Sequence, residues 1–239
     1  MWEGISKIWQ FILDIIFPIK CIGCLWEGEW VCSSCLSEIE INKKLACPRC
    51  GCISDDGSFC DQCRVTSKMT GIVAAASYED KLLRQAVHAL KYKFVRDMSR
   101  PLATILHAGL KVWLSRHQVD WQDVIFVPVP LYRQRQRQRG FNQTALLAQE
   151  LNKRAKFTVR DDVLVRIKST PAQAKLDPIK RRKNIKGAFQ LEKTAILRGK
   201  TIFIIDDICT TSATLEECAK EIDKAKPRKI WGLVLARGK

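Results

Sequence analysis

The chain has 239 residues, and its 41 Lys and Arg against 25 Asp and Glu give a formal net charge of +16. With 46% hydrophobic and 28% charged residues, the composition is that of a globular protein and excludes a disordered, collagen-like or coiled-coil chain. The excess of positive charge indicates a polyanionic partner, either a nucleic acid or a phosphate-bearing small molecule.

Residues 1–20 begin with an amphipathic pattern. Apolar residues recur there at spacings of three and four, which predicts a helix over residues 4–17. Such a helix either lies on a membrane surface or packs against its own protein. We favour packing, because membrane-surface helices usually have a polar face rich in Lys and Arg, and here Lys7 is opposed by Glu3 and Asp14.

Eight of the 11 cysteines form four CxxC pairs in one short region: Cys21/Cys24, Cys32/Cys35, Cys47/Cys50 and Cys60/Cys63. The sequence shows no signal peptide and no apolar stretch of about 20 residues, so we expect a cytoplasmic protein without a transmembrane segment. Peripheral association with the inner membrane is the alternative. In a reducing compartment, CxxC pairs usually bind a metal and do not form disulfides.

Two CxxC pairs supply the four thiolates of one tetrahedral zinc site, so residues 21–66 are predicted to form a double zinc ribbon with two sites. We favour sequential pairing, although an interleaved arrangement also fits the spacing. Four sulfur ligands leave no position for water, so the zinc is expected to be structural. Gly51 fits a turn that needs a positive φ angle, and Cys52 is either an unliganded neighbour or a substitute ligand.

The net charge of the chain also changes at the end of the cysteine region, near residue 66. Residues 1–66 carry a net charge of −3, which leaves +19 on residues 67–239. We therefore expect two units of opposite electrostatic character, joined near residues 64–70.

In residues 67–239, strands and helices alternate, which predicts an α/β fold with a parallel sheet flanked by helices. The predicted strands are Gly71–Tyr78, Val124–Val129, Val163–Ile167, Thr201–Ile205 and Lys229–Ala236. The predicted helices are Lys81–Tyr92, 100–116, 142–155 and 213–224. The polar stretch Lys168–Gly187 is expected to be mobile.

The segment Thr201–Thr214, TIFIIDDICTTSAT, carries the strongest functional signal. An apolar strand ends at Asp206 and Asp207, and small and hydroxylated residues then lead into a helix, whose N-terminus favours a phosphate. The two carboxylates would repel phosphate but accept hydrogen bonds from sugar hydroxyls or hold a Mg²⁺ shell. The pattern predicts a sugar phosphate lying across this turn, and within it Cys209 is expected to be a small filler and not a nucleophile.

This segment resembles the signature of type I phosphoribosyltransferases. The resemblance implies that Asp206 and Asp207 contact the ribose hydroxyls of phosphoribosyl pyrophosphate, bound with Mg²⁺, and serve as transition-state contacts. It also implies that the 5-phosphate is held by the loop residues Thr210, Thr211, Ser212, Ala213 and Thr214. Ser212 stands where that family usually has glycine, so it is expected to be strained if the position needs φ > 0.

Two further segments extend the resemblance. VPVPLYRQRQRQRGFNQTALLA, residues 127–148, contains "RGFNQ", and Ala89–Lys93 reads "ALKYK". Together with the CxxC pairs and "DDICTTSAT", they resemble the ComF family of competence proteins, which fuse a zinc ribbon to a phosphoribosyltransferase domain. The resemblance implies a role in DNA uptake for natural transformation, with the DNA-uptake machinery as a partner.

Basic side chains cluster in two of these segments. Arg139 is expected to bind pyrophosphate, because a guanidinium binds phosphate through two parallel hydrogen bonds. The four arginines of the RQRQRQR run are predicted to lie in a loop between a strand and a helix. The residues proposed to contact nucleic acid are Arg133, Arg135, Arg137, Arg181 and Arg182.

Two functions fit the sequence. The first is a phosphoribosyltransferase whose acceptor the sequence does not identify. The second is a non-catalytic module that binds single-stranded DNA and keeps the phosphoribosyl pocket for binding or sensing, with Phe94, Tyr132 and Phe141 as stacking platforms.

Overall fold

A computed structural model describes residues 18–155, 157–170 and 178–238. The amphipathic helix predicted over residues 4–17 lies outside the described residues, as does part of the basic stretch 168–187. None of the helices in the described part of the chain has the length and apolar composition of a transmembrane segment.

The described helices and strands follow the predicted alternation. The helices are α1 (Ser33–Glu38), α2 (Asp61–Arg64), α3 (Lys81–Tyr92), α4 (Ser99–Leu114), α5 (Arg133–Arg139), α6 (Gln143–Ala155), α7 (Pro178–Ile185) and α8 (Ala213–Asp223). The strands are β1 (Gly71–Ser77), β2 (Val124–Pro128), β3 (Thr158–Val159), β4 (Leu164–Arg166), β5 (Phe189–Leu191), β6 (Thr201–Cys209) and β7 (Lys229–Arg237).

Five strands form one parallel sheet in the order β1-β7-β6-β2-β3, with Ile202 opposite Ile230 and Phe203 opposite Phe126. The remaining two, β4 and β5, form a small antiparallel pair beside it. The predicted parallel sheet with flanking helices is confirmed. The order places β6 at the centre, so the residues at its carboxyl end lie in the middle of the sheet edge.

The alternation of side chains along β6 builds the two cores. Phe203 and Ile205 pack on one face with residues of α3, α4 and α6, whereas Ile202 and Ile204 pack on the other face with residues of α8. Both faces of this strand are therefore covered, which explains its continuous apolar run.

Helix α3 matters for the site because it lies over the end of the sheet. The carboxylate of Asp80 caps the helix by accepting a hydrogen bond from the N–H of Leu83 at 2.7 Å. Leu83 and Leu90 are fully buried on its inner face. The helix ends at Tyr92, and Phe94 two residues later has a positive φ of 56°.

The cysteines form two groups of four, Cys21, Cys24, Cys32 and Cys35, then Cys47, Cys50, Cys60 and Cys63, and all sulfur atoms within a group lie within 4.8 Å of one another. Sequential pairing is therefore confirmed. Gly51 has the expected positive φ, 77°. A Cβ on Gly23 would lie 2.8 Å from the sulfur of Cys35, so only glycine fits inside the first group.

The cysteine region packs directly on the sheet. The backbone N–H of Asn42 donates to the carbonyl of Ala75 at 2.8 Å, and that of Phe59 donates to Thr70 at 2.9 Å. Buried Cys21 and Cys47 belong to the two cores that cover opposite faces of the sheet. The two predicted units thus share their hydrophobic interior despite their opposite charge.

Several predicted boundaries need correction. The RQRQRQR run is the helix α5 and not a loop; it ends at Gly140, whose φ of 78° forms the left-handed cap. Strand β6 continues four residues beyond Ile205, because Ile208 and Cys209 still pair with β7. Within the basic stretch expected to be mobile, residues 178–185 form α7 and bury Ile185.

Candidate functional site

The site lies at the carboxyl edge of the sheet, where β6 carries the two adjacent carboxylates. Neighbouring residues on a strand point to opposite faces. Asp207 points toward α3 and α6 and is almost fully buried, whereas Asp206 is only partly buried and follows the alternation of Ile202 and Ile204. Both line one cavity of about 410 Å³.

Asp207 is held by a network of polar contacts. Its Oδ1 lies 2.7 Å from Nζ of Lys91, and its Oδ2 accepts a hydrogen bond from Nε2 of Gln143 at 3.0 Å. Oε1 of Gln143 in turn accepts from the guanidinium of Arg139. Burial acts to lower the pKa of Lys91, but the charge of Asp207 and the hydrogen bond between them outweigh it, so this pKa is raised.

The surroundings of Asp206 differ from those of Asp207. Burial, reinforced by the charge of Asp207, raises the pKa of Asp206 to about 7. Lys91 and Arg166 act against this rise but do not cancel it. Of the two carboxyl groups, Asp206 has fewer polar partners than Asp207, and its pKa lies near neutral pH.

Positive side chains outnumber the two carboxylates around this cavity. Among the described residues, the cationic groups that line it are Arg84, Lys91, Arg135, Arg139 and Arg166. The Nε–H of Arg166 is buried without a hydrogen-bond partner, and burial with the neighbouring charge of Arg135 lowers its pKa. Because the cations are in excess, the cavity is suited to an anion.

The predicted phosphate loop is divided between two cavities. Thr210 and Thr214 line the cavity with the two aspartates. Thr211, Ser212 and Ala213 line a second cavity of about 420 Å³. Its other walls include Arg49 of the cysteine region and Arg182 of α7. The sequence places all five residues in one phosphate cradle, whereas the structure puts them on two sides of the same turn.

Ser212 adopts the left-handed conformation, with φ 53° and ψ 4°, at the residue that precedes α8. The condition under which strain was expected at this position, a positive φ, is therefore met. A non-glycine residue in this region is strained, and its hydroxyl donates to the adjacent carbonyl of Thr211 at 2.7 Å.

The predicted basic residues separate into three groups. Arg135 and Arg139 line the first cavity, and Arg135 donates to the carbonyl of Thr170 at 2.7 Å. Arg133 and Arg137 are exposed on α5. Arg182 lines the second cavity, and the side chain of Arg181 lies outside the described part of the structure.

Sequence reasoning missed Lys91, Gln143 and Arg166, because each comes from a different segment and none stands beside the two aspartates in sequence. Lys91 lies within "ALKYK" and Gln143 within "RGFNQ", so these two short motifs already contained two residues of the site. Arg166 ends β4 and carries no comparable signal.

Among the predicted stacking residues, Phe141 is 6% exposed and lies under the guanidinium of Arg96, 5.6 Å from its ring centre. The ring of Phe141 is therefore covered, and the prediction that it serves as a stacking platform was wrong. Phe94 is 51% exposed, and Tyr92, which was not predicted, is 55% exposed and lines the cavity.

Cys209 is buried, and burial raises the pKa of its thiol to about 12. A thiol that stays protonated at neutral pH is a poor nucleophile. The prediction that it fills space is consistent with this environment.

The two cysteine groups fit structural zinc. A tetrahedral ion bound by sulfur at about 2.3 Å places its ligands about 3.8 Å apart. The Sγ atoms of Cys24 and Cys32 are 3.6 Å apart, as are those of Cys50 and Cys60. Two such groups are the pattern of a double zinc ribbon, and the metal would supply cross-linking there and no reaction chemistry.

Family models match two parts of the chain. A double zinc ribbon domain matches residues 12–64, and a phosphoribosyl transferase domain matches residues 137–239. The second match contains both aspartates and the loop that follows them.

Curated relatives match nearly the whole chain. Competence protein F of Haemophilus influenzae is 29% identical over 237 residues, which cover 92% of this chain and 98% of that protein. DNA utilization protein YhgH of Escherichia coli K12 is 31% identical over 213 residues, covering 86% and 91%. Competence protein ComFC of Bacillus subtilis is 24% identical over 237 residues, covering 95% and 92%.

A search of solved structures finds hypoxanthine-guanine phosphoribosyl transferase of L. donovani, with 12% identity and a TM-score of 0.37 over 58% of this chain and 67% of that one.

Proposed function

We propose that this chain, which belongs to the ComF family of competence proteins, binds phosphoribosyl pyrophosphate with Mg²⁺ at the carboxyl edge of its sheet. We further propose that it acts as a phosphoribosyltransferase in the uptake or use of DNA. The observation that carries the proposal is the cavity in which five cationic side chains face Asp206 and Asp207. Phosphoribosyl pyrophosphate has phosphates at both ends of a sugar and matches this distribution of charge.

The turn before α8 supports the position of the 5-phosphate. Thr210 and Thr214 line the cavity at the start of this helix. The first N–H groups of a helix have no partner within the helix, and the positive end of its dipole favours an anion. The 5-phosphate is therefore assigned to the side of this turn that lines the cavity, at Thr210 and Thr214.

Asp206 is assigned to the ribose hydroxyls, because it is the less buried carboxylate and lines the same cavity. A carboxylate accepts two hydrogen bonds from neighbouring hydroxyls when it is ionised. With its pKa at about 7, the group is ready to ionise when a ligand supplies these donors or a cation.

The reaction assigned to this cavity breaks the bond between C1 of the ribose and pyrophosphate, whose electron pair leaves on the pyrophosphate. An acceptor nucleophile then forms the new bond at C1. Arg139, Lys91 and the neighbouring arginines offset the negative charge that grows on the leaving group, and Asp206 favours the positive charge that grows on the sugar. Mg²⁺ bound to the pyrophosphate would neutralise further charge.

Calorimetric titration of the full chain with Mg²⁺ and phosphoribosyl pyrophosphate tests the binding step. Asp206→Asn and Arg166→Met should each weaken binding by about tenfold or more, because each removes a charged contact. Two charges outside the cavity serve as matched controls: Asp223→Asn alters a half-buried carboxylate that pairs with Lys68, and Arg198→Met alters an exposed guanidinium. Absence of binding by the unaltered chain would contradict the proposal.

Turnover is tested separately, by release of pyrophosphate in the presence of candidate acceptors. Release that depends on an acceptor and disappears in Asp206→Asn supports catalysis. Binding without release under any acceptor favours the second function.

The second candidate function is binding of single-stranded DNA. Two exposed rings, Tyr92 and Phe94, flank Lys93 at the end of α3, and the exposed arginines of α5 add positive charge. Aromatic platforms beside basic groups are the usual means of binding single strands. The cavity would then sense a ligand and not transform it.

Fluorescence anisotropy with a labelled oligothymidine tests this function. Binding should weaken steeply with salt and fall by about tenfold in Tyr92→Ala or Phe94→Ala, since base stacking contributes about 1–3 kcal/mol. Trp26→Ala removes a still more exposed ring from the cysteine region and is the control. Equal affinities of all three variants would contradict this location of the DNA.

A further inference from the structure

The two adjacent aspartates, which the sequence treats as equivalent, have different surroundings. Both carboxylate oxygens of Asp207 are already used: Oδ1 accepts from the backbone N–H of Ile208 at 2.7 Å and pairs with Lys91 at 2.7 Å, and Oδ2 accepts from Gln143 at 3.0 Å. Its side chain is only 4% exposed. A carboxylate with these partners has little capacity left for sugar hydroxyls.

Building on the proposed function, we propose that Asp207 does not contact the ribose. Instead, it holds Lys91 as a fixed positive charge for the pyrophosphate end of the ligand. Asp206 is then the only member of the pair that binds the sugar.

The geometry of Lys91 favours this role. Its ammonium group has three N–H donors; among the described residues, Asp207 is its hydrogen-bond acceptor, and the group lines the cavity with 22% of the side chain exposed. The buried side chains of Leu83 and Leu90 fix α3 against the sheet. Lys91 is therefore held from two sides, by its helix and by Asp207, and still faces the cavity.

A second cation belongs to the same network. Arg139 donates to Gln143, which donates to Asp207, so one buried carboxylate orients two positive groups. Both groups come from elements other than the β6–α8 turn, to which the 5-phosphate is assigned. A ligand with one phosphate at the turn has its other charged group at this end, where two oriented cations match a pyrophosphate.

The experiment compares three ligands by calorimetry with the full chain: Mg²⁺ with phosphoribosyl pyrophosphate, Mg²⁺ with inorganic pyrophosphate, and ribose 5-phosphate. Lys91→Met should weaken the first two by about 10- to 100-fold, the usual effect of losing a charged hydrogen bond, and leave ribose 5-phosphate within about threefold. Lys81→Met, an exposed lysine at the start of the same helix, is the matched control and should change none of them.

Because Lys91→Met leaves Asp207 buried without its counter-ion, the double variant Lys91→Met/Asp207→Asn is included. It removes both charges, which preserves folding better than removing one. It should bind ribose 5-phosphate like the unaltered chain and remain weak for pyrophosphate, a split that a purely structural role would not produce.

Two results would overturn the assignment. Unchanged pyrophosphate affinity in Lys91→Met would remove Lys91 from the site, and loss of ribose 5-phosphate binding in the folded double variant would place Asp207 on the sugar. Failure of the unaltered chain to bind phosphoribosyl pyrophosphate is a separate outcome, which refutes the proposed function itself.

Discussion

Replacing one cysteine of the second group, Cys50→Ser, should destabilise the whole chain and not the cysteine region alone. A structural zinc site needs all four thiolates, and a serine hydroxyl does not replace one. The second zinc should therefore be lost. Cys47 is part of the core that covers the α8 face of the sheet. Loss of this zinc should therefore also destabilise the phosphoribosyltransferase-like part of the chain.

The size of the effect follows from what the second group buries. Leu45 and Phe59 are 6% and 4% exposed, and each lies in a core shared with the sheet. Burying such a side chain contributes about 1.5–3 kcal/mol, so exposing both removes about 3–6 kcal/mol. At about 2–4 °C per kcal/mol for a chain of this size, the midpoint of thermal unfolding should fall by roughly 6–24 °C.

Zinc content by a chelating dye and thermal unfolding by circular dichroism measure both consequences. Cys52→Ser is the matched control, because Cys52 is an exposed neighbour whose sulfur lies 3.4 Å from that of Cys50 but is outside the group of four. It should keep two zinc ions and the original midpoint. If Cys50→Ser loses zinc while the main unfolding transition stays in place, the cysteine region and the sheet do not form one cooperative unit.

Three further predictions concern the sheet edge and the core. The pKa of Asp206 rises from 3.8 to about 7 on folding, so the folded chain binds this proton more tightly and should lose stability as the pH rises through that range. The free energy of urea unfolding of Asp206→Asn should lack this loss. Equal dependence of that free energy on pH in the variant and the unaltered chain would contradict the prediction. Ser212→Gly should be more stable than Ser212→Ala by about 1 kcal/mol, since only glycine relieves the positive φ at no steric cost, and equal stabilities would show that the turn is unstrained. Gly109→Ala should cost about 1–3 kcal/mol in chemical unfolding, because the new Cβ would lie 2.5 Å from Cα and Cβ of Ala75; an unchanged midpoint would refute this close approach of α4 to β1.

Much of the fold could be predicted because periodicity is a local signal. Helix α3 has the predicted bounds Lys81–Tyr92, since a clear apolar face and the capping Asp80 define it. The apolar run Thr201–Ile205 predicted the first part of strand β6, which lies at the centre of the sheet. Its continuation to Cys209 was missed because pairing with β7, and not hydrophobicity, carries the strand past the two aspartates.

The elements that were missed depend on tertiary contacts. Helix α5 has no apolar period, because arginine and glutamine alternate, yet it forms between β2 and the cap at Gly140. Strands β3 and β5 are two and three residues long and have no pattern of their own.

The site was predicted where its residues are adjacent in sequence and missed where they converge from different elements. The pair Asp206 and Asp207 stood out as a motif, but only Asp207 contacts Lys91 and Gln143, which come from α3 and α6. No pattern within β6 contains that information.

The central claim is that the cavity at the carboxyl end of β6 holds phosphoribosyl pyrophosphate, and a crystal structure of the full chain with Mg²⁺ and this ligand tests it most directly. The account predicts the 5-phosphate at the start of α8 beside Thr210 and Thr214, the ribose hydroxyls on Asp206, and the pyrophosphate beside Lys91 and Arg139. A ligand bound in the cavity formed by Arg49 and Arg182, or one that leaves Asp206 without a contact, would contradict it.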